Sequence, residues 1–325
     1  MMIAAHEDTR LLDNLRFACG PLMVGALEDE GIIEIMLNPD SSLWIERYGQ
    51  DHERIGEIPR KAAESIMYLV ASALKLTVNE KSPIVEGEFP LDGSRFEGTF
   101  PPIVGPGPSF SLRKKASRVF TLEEYMLAGS VTAEVVRIIE DAVLRRLNIV
   151  VVGGTSSGKT TFVNAVIDAV FRLTPSHRLL ILEDTAELQS KSPNSVFLRT
   201  SVLAEVDMRK LAKVSMRYAP KRILVGEVRD AAALEMLKLW NTGHPGGIST
   251  FHADSAEEAL PRLEELVEEA GLGPKQKLIG RAVDLAVYME KTPDNQRRIS
   301  SIVRVNGFNA KTESYNTDVL YSVAA

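Results

Sequence analysis

Apolar positions in the second half of the chain form short unbroken runs separated by longer segments with helical spacing. The runs are Ile149–Val152, Leu179–Leu182, Ile223–Val225 and Ile248–Phe251, and the segment from Thr161 to about Leu173 is typical of the helical stretches. Short, fully apolar runs are typical of strands buried on both faces, and their alternation with helices favours a parallel sheet. We therefore predict an α/β domain with a mainly parallel sheet.

The first part of the chain has a different pattern, with turn residues between short alternating segments. We predict a mixed α+β domain here, with elements at Leu11–Cys19 (helix), Ile32–Leu37 and Leu43–Arg47 (strands), Pro59 to about Leu76 (helix), and strands around Glu86–Phe89, Ser94–Phe100 and Phe110–Leu112. The predicted boundaries are 1–115 for this domain, 116–130 for a linker and 131–325 for the α/β domain. The polar run Arg113–Arg118 is the best linker candidate.

Composition limits the class of protein. The chain has 325 residues and a net charge of −6, and 45% of its residues are hydrophobic, which allows two globular domains and gives no support for a nucleic-acid-coating protein. The single cysteine, Cys19, cannot form an internal disulfide. We find neither an apolar signal core at the start nor an apolar run of the ~20 residues that a membrane span needs. We therefore expect a cytoplasmic protein whose contact with a membrane would be peripheral.

The strongest chemical signal is a glycine-rich segment between the first apolar run and the helix that follows. It fits the pattern G-x-x-x-x-G-K-[ST] at every fixed position, with the residues Gly153, Gly154, Thr155, Ser156, Ser157, Gly158, Lys159 and Thr160. Glycines allow the backbone N–H groups to surround an anion at a helix N-terminus. We predict that these residues and Thr161 bind ATP, that Lys159 reaches the β- and γ-phosphates, and that Thr160 binds Mg²⁺.

Three further apolar runs end in polar side chains, and ligands in such sheets bind beyond the carboxyl ends of the strands. Glu183 and Asp184 follow the second run, Glu227 follows the third, and His252 follows the fourth. An acid after an apolar strand is the Walker B position, where a carboxylate serves Mg²⁺ or its water ligands. His252 could sense the γ-phosphate, and the presence of His244 only eight positions earlier strengthens this reading.

In this order and spacing, these segments resemble the secretion-superfamily ATPases of type II and type IV secretion, pilus retraction and conjugation. The resemblance covers roughly residues 30 to 290, and the absence of a zinc-binding insert favours the type IV branch. It implies a RecA-like P-loop NTPase domain, preceded by a smaller α+β domain that is PAS-like, and a hexamer with ATP held between the two domains. It makes Glu183 the candidate for polarising the attacking water and Glu227 the candidate for the Mg²⁺ shell, with the reverse assignment open. His252 matches the histidine of the family's histidine box.

The resemblance also assigns four arginines. Arg95 and Arg113 match arginines of the N-terminal domain that are expected near the phosphates, where positive charge accelerates phosphoryl transfer. Arg217 and Arg229 match further family arginines, at a subunit interface or in support of the site. The chain departs from the family at Ala219–Arg222, where Arg-Pro-Asp-Arg is expected.

The leading hypothesis is a Mg-dependent ATPase that powers a type IV secretion or conjugal transfer apparatus. The expected partners are other copies of the chain, in a homohexamer, and inner-membrane components of the apparatus. The alternatives are an ATP-gated docking platform with little turnover, a P-loop kinase, for which no acceptor pocket is evident, and a DNA-tracking motor. Direct nucleic-acid binding finds poor support in the net charge.

Overall fold

The structure is a computed structural model that describes residues 2–116, 118–201, 204–271 and 273–323, with side chains from residue 9 onward. The chain forms two compact units, Met1–Ser117 and Arg118–Ala325. Ser117, within the predicted linker run, lies outside the described residues. None of the described helices combines the length and the apolarity that crossing a bilayer requires.

The first unit is an antiparallel sheet packed with helices. Its described elements are α1 (Met2–Glu28), β1 (Ile32–Leu37), β2 (Ser42–Arg47), β3 (Glu53–Glu57), α2 (Arg60–Ala73), β4 (Ile84–Glu88), β5 (Arg95–Thr99) and β6 (Ser109–Arg113). The strands pair in the order β3-β2-β1-β6-β5-β4. Helix α2 buries Ile66, Met67 and Val70, whose three- and four-residue spacing puts them on one face. This face and the inward side chains of the strands form the unit's core.

Two elements of the first unit differ from the sequence prediction. Helix α1 extends well beyond Leu11–Cys19. It is interrupted at Gly20, which has a φ of 65° and is followed by Pro21. Glycine adopts such a backbone without steric cost, so the chain continues helically on both sides of the break. Strand β3 was not predicted, because its sequence is charged and its residues are exposed or half-buried, which leaves no hydrophobic alternation to detect.

The second unit carries a mixed sheet with helices on its faces. Its described elements are α3 (Leu122–Leu127), α4 (Ala133–Leu144), β7 (Ile149–Val152), α5 (Lys159–Leu173), β8 (Leu179–Glu183), β9 (Ser195–Arg199), α6 (Met208–Ser215), β10 (Arg222–Glu227), α7 (Ala232–Trp240), β11 (Ile248–Phe251), α8 (Ala259–Glu268), α9 (Gln276–Ala282), β12 (Leu285–Lys291), β13 (Arg297–Asn309) and β14 (Ser314–Ser322).

The sheet order is β14-β13-β12-β7-β11-β10-β8-β9. Strands from β12 to β9 in this order pair in parallel, and β13 and β14 add an antiparallel hairpin at one edge. The predicted mainly parallel sheet is therefore confirmed. Every residue of β7, β8 and β11 is buried, as their unbroken apolar runs predict.

The segment 116–130, predicted as a linker, contains a helix of the second unit. Thr121 caps α3 through a capping box with Glu124, and Leu122 is 1% exposed within the core beside α5. A serine contact of a similar kind precedes α8. Ser255 accepts a hydrogen bond from the Glu258 N–H, but the helix itself begins only at Ala259.

Candidate active site at the carboxyl ends of the parallel strands

Four neighbouring parallel strands end at one edge of the second sheet. Strand β7 leads into the glycine-rich segment 153–160, which we call the phosphate loop. Strands β8, β10 and β11 end near Glu183, Glu227 and His252. The strands lie side by side in the order β7-β11-β10-β8. The parallel pairing therefore brings to one edge the polar strand ends that are scattered along the sequence.

The phosphate loop requires glycine at two positions for steric reasons. Gly153 has a φ of 154°, and a Cβ there would lie 2.0 Å from the Met289 carbonyl oxygen. Gly158 has a φ of 92° and is the residue from which α5 begins. A side chain at either position would displace the neighbouring chain or strain the backbone. The loop is therefore a close-fitting cradle that ends at a helix N-terminus, which is the geometry that binds phosphate.

Lys159 is held inside this loop. Its side chain is buried, and its Nζ donates hydrogen bonds to the carbonyl oxygens of Gly153 at 3.0 Å and Gly154 at 2.8 Å. Ser157 is 1% exposed, and its Oγ has no hydrogen-bond partner among the described residues. Thr160 and Thr161 are half-buried in the first turn of α5. The cradle thus brings together a cation, a hydroxyl without a partner and helix N–H groups, which fit a phosphate chain.

His252 connects the phosphate loop to the end of β10. Its Nδ1 lies 3.4 Å from the Lys159 Nζ, and its Nε2 lies 3.4 Å from Oε1 of Glu227. The other oxygen of Glu227, Oε2, accepts hydrogen bonds from Nε, at 2.8 Å, and Nη2 of Arg229. Because an ammonium group only donates, the lysine contact assigns the acceptor role to Nδ1 and the proton to Nε2, which faces the glutamate.

The surroundings of His252 keep its ring neutral. Burial lowers the pKa of His252, as do the charges of Lys159 and Arg229, and these outweigh the opposite effects of Glu227 and of a hydrogen bond with the Gly153 backbone. A neutral imidazole can accept from the lysine and donate to the glutamate at the same time. The ring therefore orients two groups that the sequence places 68 residues apart.

Glu183 is far more buried than a solvated strand-end acid. It is 2% exposed, and its Oε1 accepts the backbone N–H groups of Glu187 at 2.9 Å and Leu188 at 2.7 Å. Its Oε2 has no hydrogen-bond partner among the described residues. Burial raises the pKa of this carboxyl against the effect of the two N–H donors. Glu183 therefore fixes the loop after β8 through one oxygen, while its other oxygen is buried beside the site.

Asn164 on α5, which the sequence analysis missed, holds the same loop. It is 2% exposed; its Nδ2 donates to the Glu187 carbonyl oxygen at 3.1 Å, and its Oδ1 accepts from the Gln189 N–H at 2.8 Å. No chemical motif contains this asparagine, and only its polar character on a buried helix face could have indicated it.

The described residues contain no cluster of three or more His, Cys, Asp or Glu side chains that could hold a metal ion. The predicted metal ligands, Thr160 and Glu227, offer oxygen atoms only. Mg²⁺ prefers oxygen ligands and is usually bound through one or two protein groups together with substrate phosphates and water. The chemistry of this pair therefore fits Mg²⁺ that arrives with a nucleotide.

The predicted arginines lie in different places. Arg95 and Arg113 face each other across β5 and β6 in the first unit, and the Nε of Arg113 lies 3.6 Å from Glu34. Their approach to the phosphates stays a prediction. Arg217 is exposed on the turn after α6, whereas Arg229 contacts Glu227 at the site.

The two histidines that are close in sequence are not brought together at the site. The turn that contains His244 precedes β11, where the N–H groups of Gly246 and Gly247 donate to the Asn148 side chain. His252 follows the same strand. Strand β11 separates them, so His244 lies near the amino end of this strand and His252 near its carboxyl end. His244 therefore lends no support to a role for His252.

Comparison with known proteins identifies a family and relatives that match this chain over most of its length and of theirs. The family described as "Type II/IV secretion system protein" matches residues 21–298. The chain is 48% identical to a probable conjugal transfer protein TrbB of Sinorhizobium fredii over 299 residues, which are 92% of this chain and 91% of the relative. It is 45% identical to a conjugal transfer protein TrbB of Rhizobium radiobacter, over 98% of this chain and 96% of the relative.

A solved structure shares the fold. The ATPase DotB of Legionella pneumophila matches with a TM-score of 0.61 at 18% identity, over 90% of this chain and 81% of that chain. The family resemblance predicted from the strand ends and the phosphate loop is thereby confirmed.

Proposed function

Since the chain belongs to the family of type II/IV secretion system proteins, we propose that it is a Mg-dependent ATPase that powers a type IV secretion or conjugal transfer apparatus. The observation that carries the proposal is the steric fit of the phosphate loop. Gly153 lies so close to the Met289 carbonyl that it tolerates no Cβ, Gly158 lies against Arg297 and Met289, and Lys159 is buried within the loop. The names of the two TrbB relatives support the role in conjugal transfer.

The phosphate loop would bind the triphosphate. The N–H groups at the start of α5 would face the phosphates, and Lys159 would move from the Gly153 and Gly154 carbonyls to the β- and γ-phosphate oxygens. Thr160 would hold Mg²⁺, which supplies positive charge to the transferring phosphoryl group. The product would be ADP and phosphate.

The strand-end acids would act on water. Oε2 of Glu183, which is buried and has no hydrogen-bond partner among the described residues, would accept its proton, and the raised pKa of this carboxyl suits a group that must take up a proton. Glu227, oriented by His252 and Arg229, would face the metal and its water ligands. The neutral His252 would link the movement of Lys159 toward the phosphates to the position of Glu227.

The assembly is part of the same proposal. We propose a homohexamer at the inner face of the inner membrane, with contacts to membrane components of the apparatus. The first unit would be a PAS-like domain, which the antiparallel order of its sheet supports. Closure of this domain would bring Arg95 or Arg113 toward the phosphates, coupling hydrolysis to rigid-body motion.

Lys159→Ala tests the proposal. We expect the wild-type protein to release phosphate from Mg-ATP without any acceptor, and Lys159→Ala to lose at least about 100-fold of this activity, since it lacks a cation at the transferring phosphoryl group. Lys238→Ala is the matched control, because Lys238 is 45% exposed and pairs with Glu235 on α7. Wild-type turnover by Lys159→Ala would rule out the proposed site, and tight ATP binding without turnover in the wild type would favour a nucleotide-gated docking platform.

A further inference from the structure

Arg297 lies against the phosphate loop, although 141 residues separate it from its contact there. It is the first residue of β13, it is 8% exposed, and its Nε donates a hydrogen bond to the Ser156 carbonyl oxygen at 3.1 Å. A buried arginine is uncommon, because burying its charge is costly unless the charge is paired or hydrogen-bonded. Neither the strand-end pattern nor the phosphate-loop motif accounts for this side chain.

The contact fixes the direction of one peptide group of the loop. The peptide between Ser156 and Ser157 is planar and trans, so its carbonyl and its N–H point to opposite sides. A hydrogen bond that holds the Ser156 carbonyl on the side of β13 therefore holds the Ser157 N–H on the other side, where it donates to the Gly154 carbonyl oxygen at 3.4 Å within the loop. Ser156 has a φ of 57°, in the left-handed region that residues other than glycine seldom adopt. The bond from Arg297 compensates for this conformation.

Packing restricts the guanidinium to this position. A Cβ on Gly158 would lie 3.1 Å from Cδ of Arg297 and 3.3 Å from Cε of Met289. The absence of a side chain at Gly158 thus serves two purposes, because it permits the left-handed turn into α5 and makes room for Arg297. The β12–β13 hairpin packs against the loop at two points. The Met289 carbonyl lies against Gly153, and Arg297 donates a hydrogen bond to the Ser156 carbonyl.

We infer that Arg297 is a positioning residue for the triphosphate. Its hydrogen bond to the Ser156 carbonyl fixes the Ser156–Ser157 peptide, and with it the contact from the Ser157 N–H to Gly154 that holds the loop in shape around the phosphates. This role rests on the proposed nucleotide binding. Fixing the loop in its binding shape before the ligand arrives strengthens binding, because no entropy is then lost in ordering the loop in the complex.

Two substitutions at Arg297 separate the hydrogen bond from simple filling of space. Arg297→Met keeps an unbranched chain and removes both charge and donor. Arg297→Lys keeps the charge but has a carbon, Cε, where arginine has the donating Nε. Arg298→Met is the matched control on the same strand, because Arg298 is 46% exposed and its Nε donates to Glu290 at 2.7 Å.

The experiment measures the binding of a fluorescent ATP analogue with Mg²⁺, kcat and KM for ATP, and thermal unfolding with and without nucleotide. We expect Arg297→Met to weaken binding at least tenfold, equivalent to about 1.4 kcal/mol. KM should rise more than kcat falls, since the arginine acts on binding. Arg297→Lys should lose at least threefold in affinity, and Arg298→Met should bind as the wild type does.

The proposal is overturned if Arg297→Met binds nucleotide within twofold of the wild type, or if its only defect is a lower melting temperature with an unchanged shift upon nucleotide addition. If Arg297→Met does not fold, Arg297→Lys decides, and unchanged affinity in that variant overturns the proposal. A wild-type protein that binds no nucleotide would instead refute the proposed function. The two failures are therefore distinguishable.

Discussion

Substitutions at Glu183 separate its structural contribution from its proposed part in hydrolysis. Glu183→Gln preserves the shape of the side chain, and its amide oxygen can still accept the N–H groups of Glu187 and Leu188. It cannot take a proton from water. We therefore expect nucleotide affinity to be retained and kcat to fall about 100-fold or more, the range that general bases contribute. Phosphate release and analogue binding measure the two effects.

Although the activity of Glu183→Gln should fall, its stability should not. Burial raises the pKa of Glu183 above its unfolded value of 4.5. The protonated carboxyl therefore stabilises the folded state below pH 4.5, and this stabilisation is lost as the pH rises through the folded pKa. Glutamine carries no charge at any pH. At pH 8 Glu183→Gln should be at least as stable as the wild type toward heat.

Glu183→Ala should unfold more easily. Truncation leaves the Glu187 and Leu188 N–H groups without their acceptor, at about 1–3 kcal/mol each, or about 2–6 kcal/mol in total. For a domain of this size, the melting temperature should fall by roughly 5 °C or more. Glu265→Gln, at an exposed position on α8, is the control for both assays.

Two results would contradict this reasoning. Hydrolysis by Glu183→Gln at the wild-type rate would show that Glu183 does not activate water, and Glu227 would become the candidate. A Glu183→Ala variant with the same melting temperature as the wild type would show that the two backbone contacts contribute nothing to stability.

Three further predictions test other parts of the site and fold. Gly153→Ala places a carbon 2.0 Å from the Met289 carbonyl oxygen, so nucleotide affinity should fall at least tenfold. The control is Gly154→Ala, whose added carbon meets nothing within 4 Å; calorimetry should find its melting temperature equal to that of the wild type. His252→Ala should lower kcat about tenfold or more. Because burial and the phosphate-loop lysine lower the pKa of His252, the wild-type pH–rate profile should stay level through pH 6.5 and decline only below it, and a decline centred at or above pH 6.5 would contradict the neutral ring. Burial and neighbouring cations lower the pKa of His177, so its contribution to stability is present above pH 6.5 and is lost as the pH falls. Relative to His177→Gln, the wild-type melting temperature should therefore drop between pH 7 and pH 5, and parallel curves would contradict this.

The sequence predicted the phosphate loop and four strands of the parallel sheet, β7, β8, β10 and β11, because their signals are local, whereas β9 and β12 of the same sheet were not predicted. Unbroken apolar runs specify buried strands, and each fixed glycine of the loop has a steric reason that operates within a few residues or against one neighbour. Strand β3 escaped prediction because its residues are exposed and charged. Helix α3 lies in the segment 116–130 that the sequence predicts as a linker, because six residues are too few to show a helical hydrophobic period.

The sequence alone determined that a strand, a glycine loop and a helix follow one another, and that acids and a histidine end the neighbouring strands. Only the tertiary structure decided which of these groups touch. It buried Glu183 within its own loop, linked Lys159 through His252 to Glu227, and separated His244 from them. It also brought Arg297 from a distant strand to Ser156. The reason is physical: strand order and burial arise from packing between segments far apart in the chain, and residue spacing does not record them.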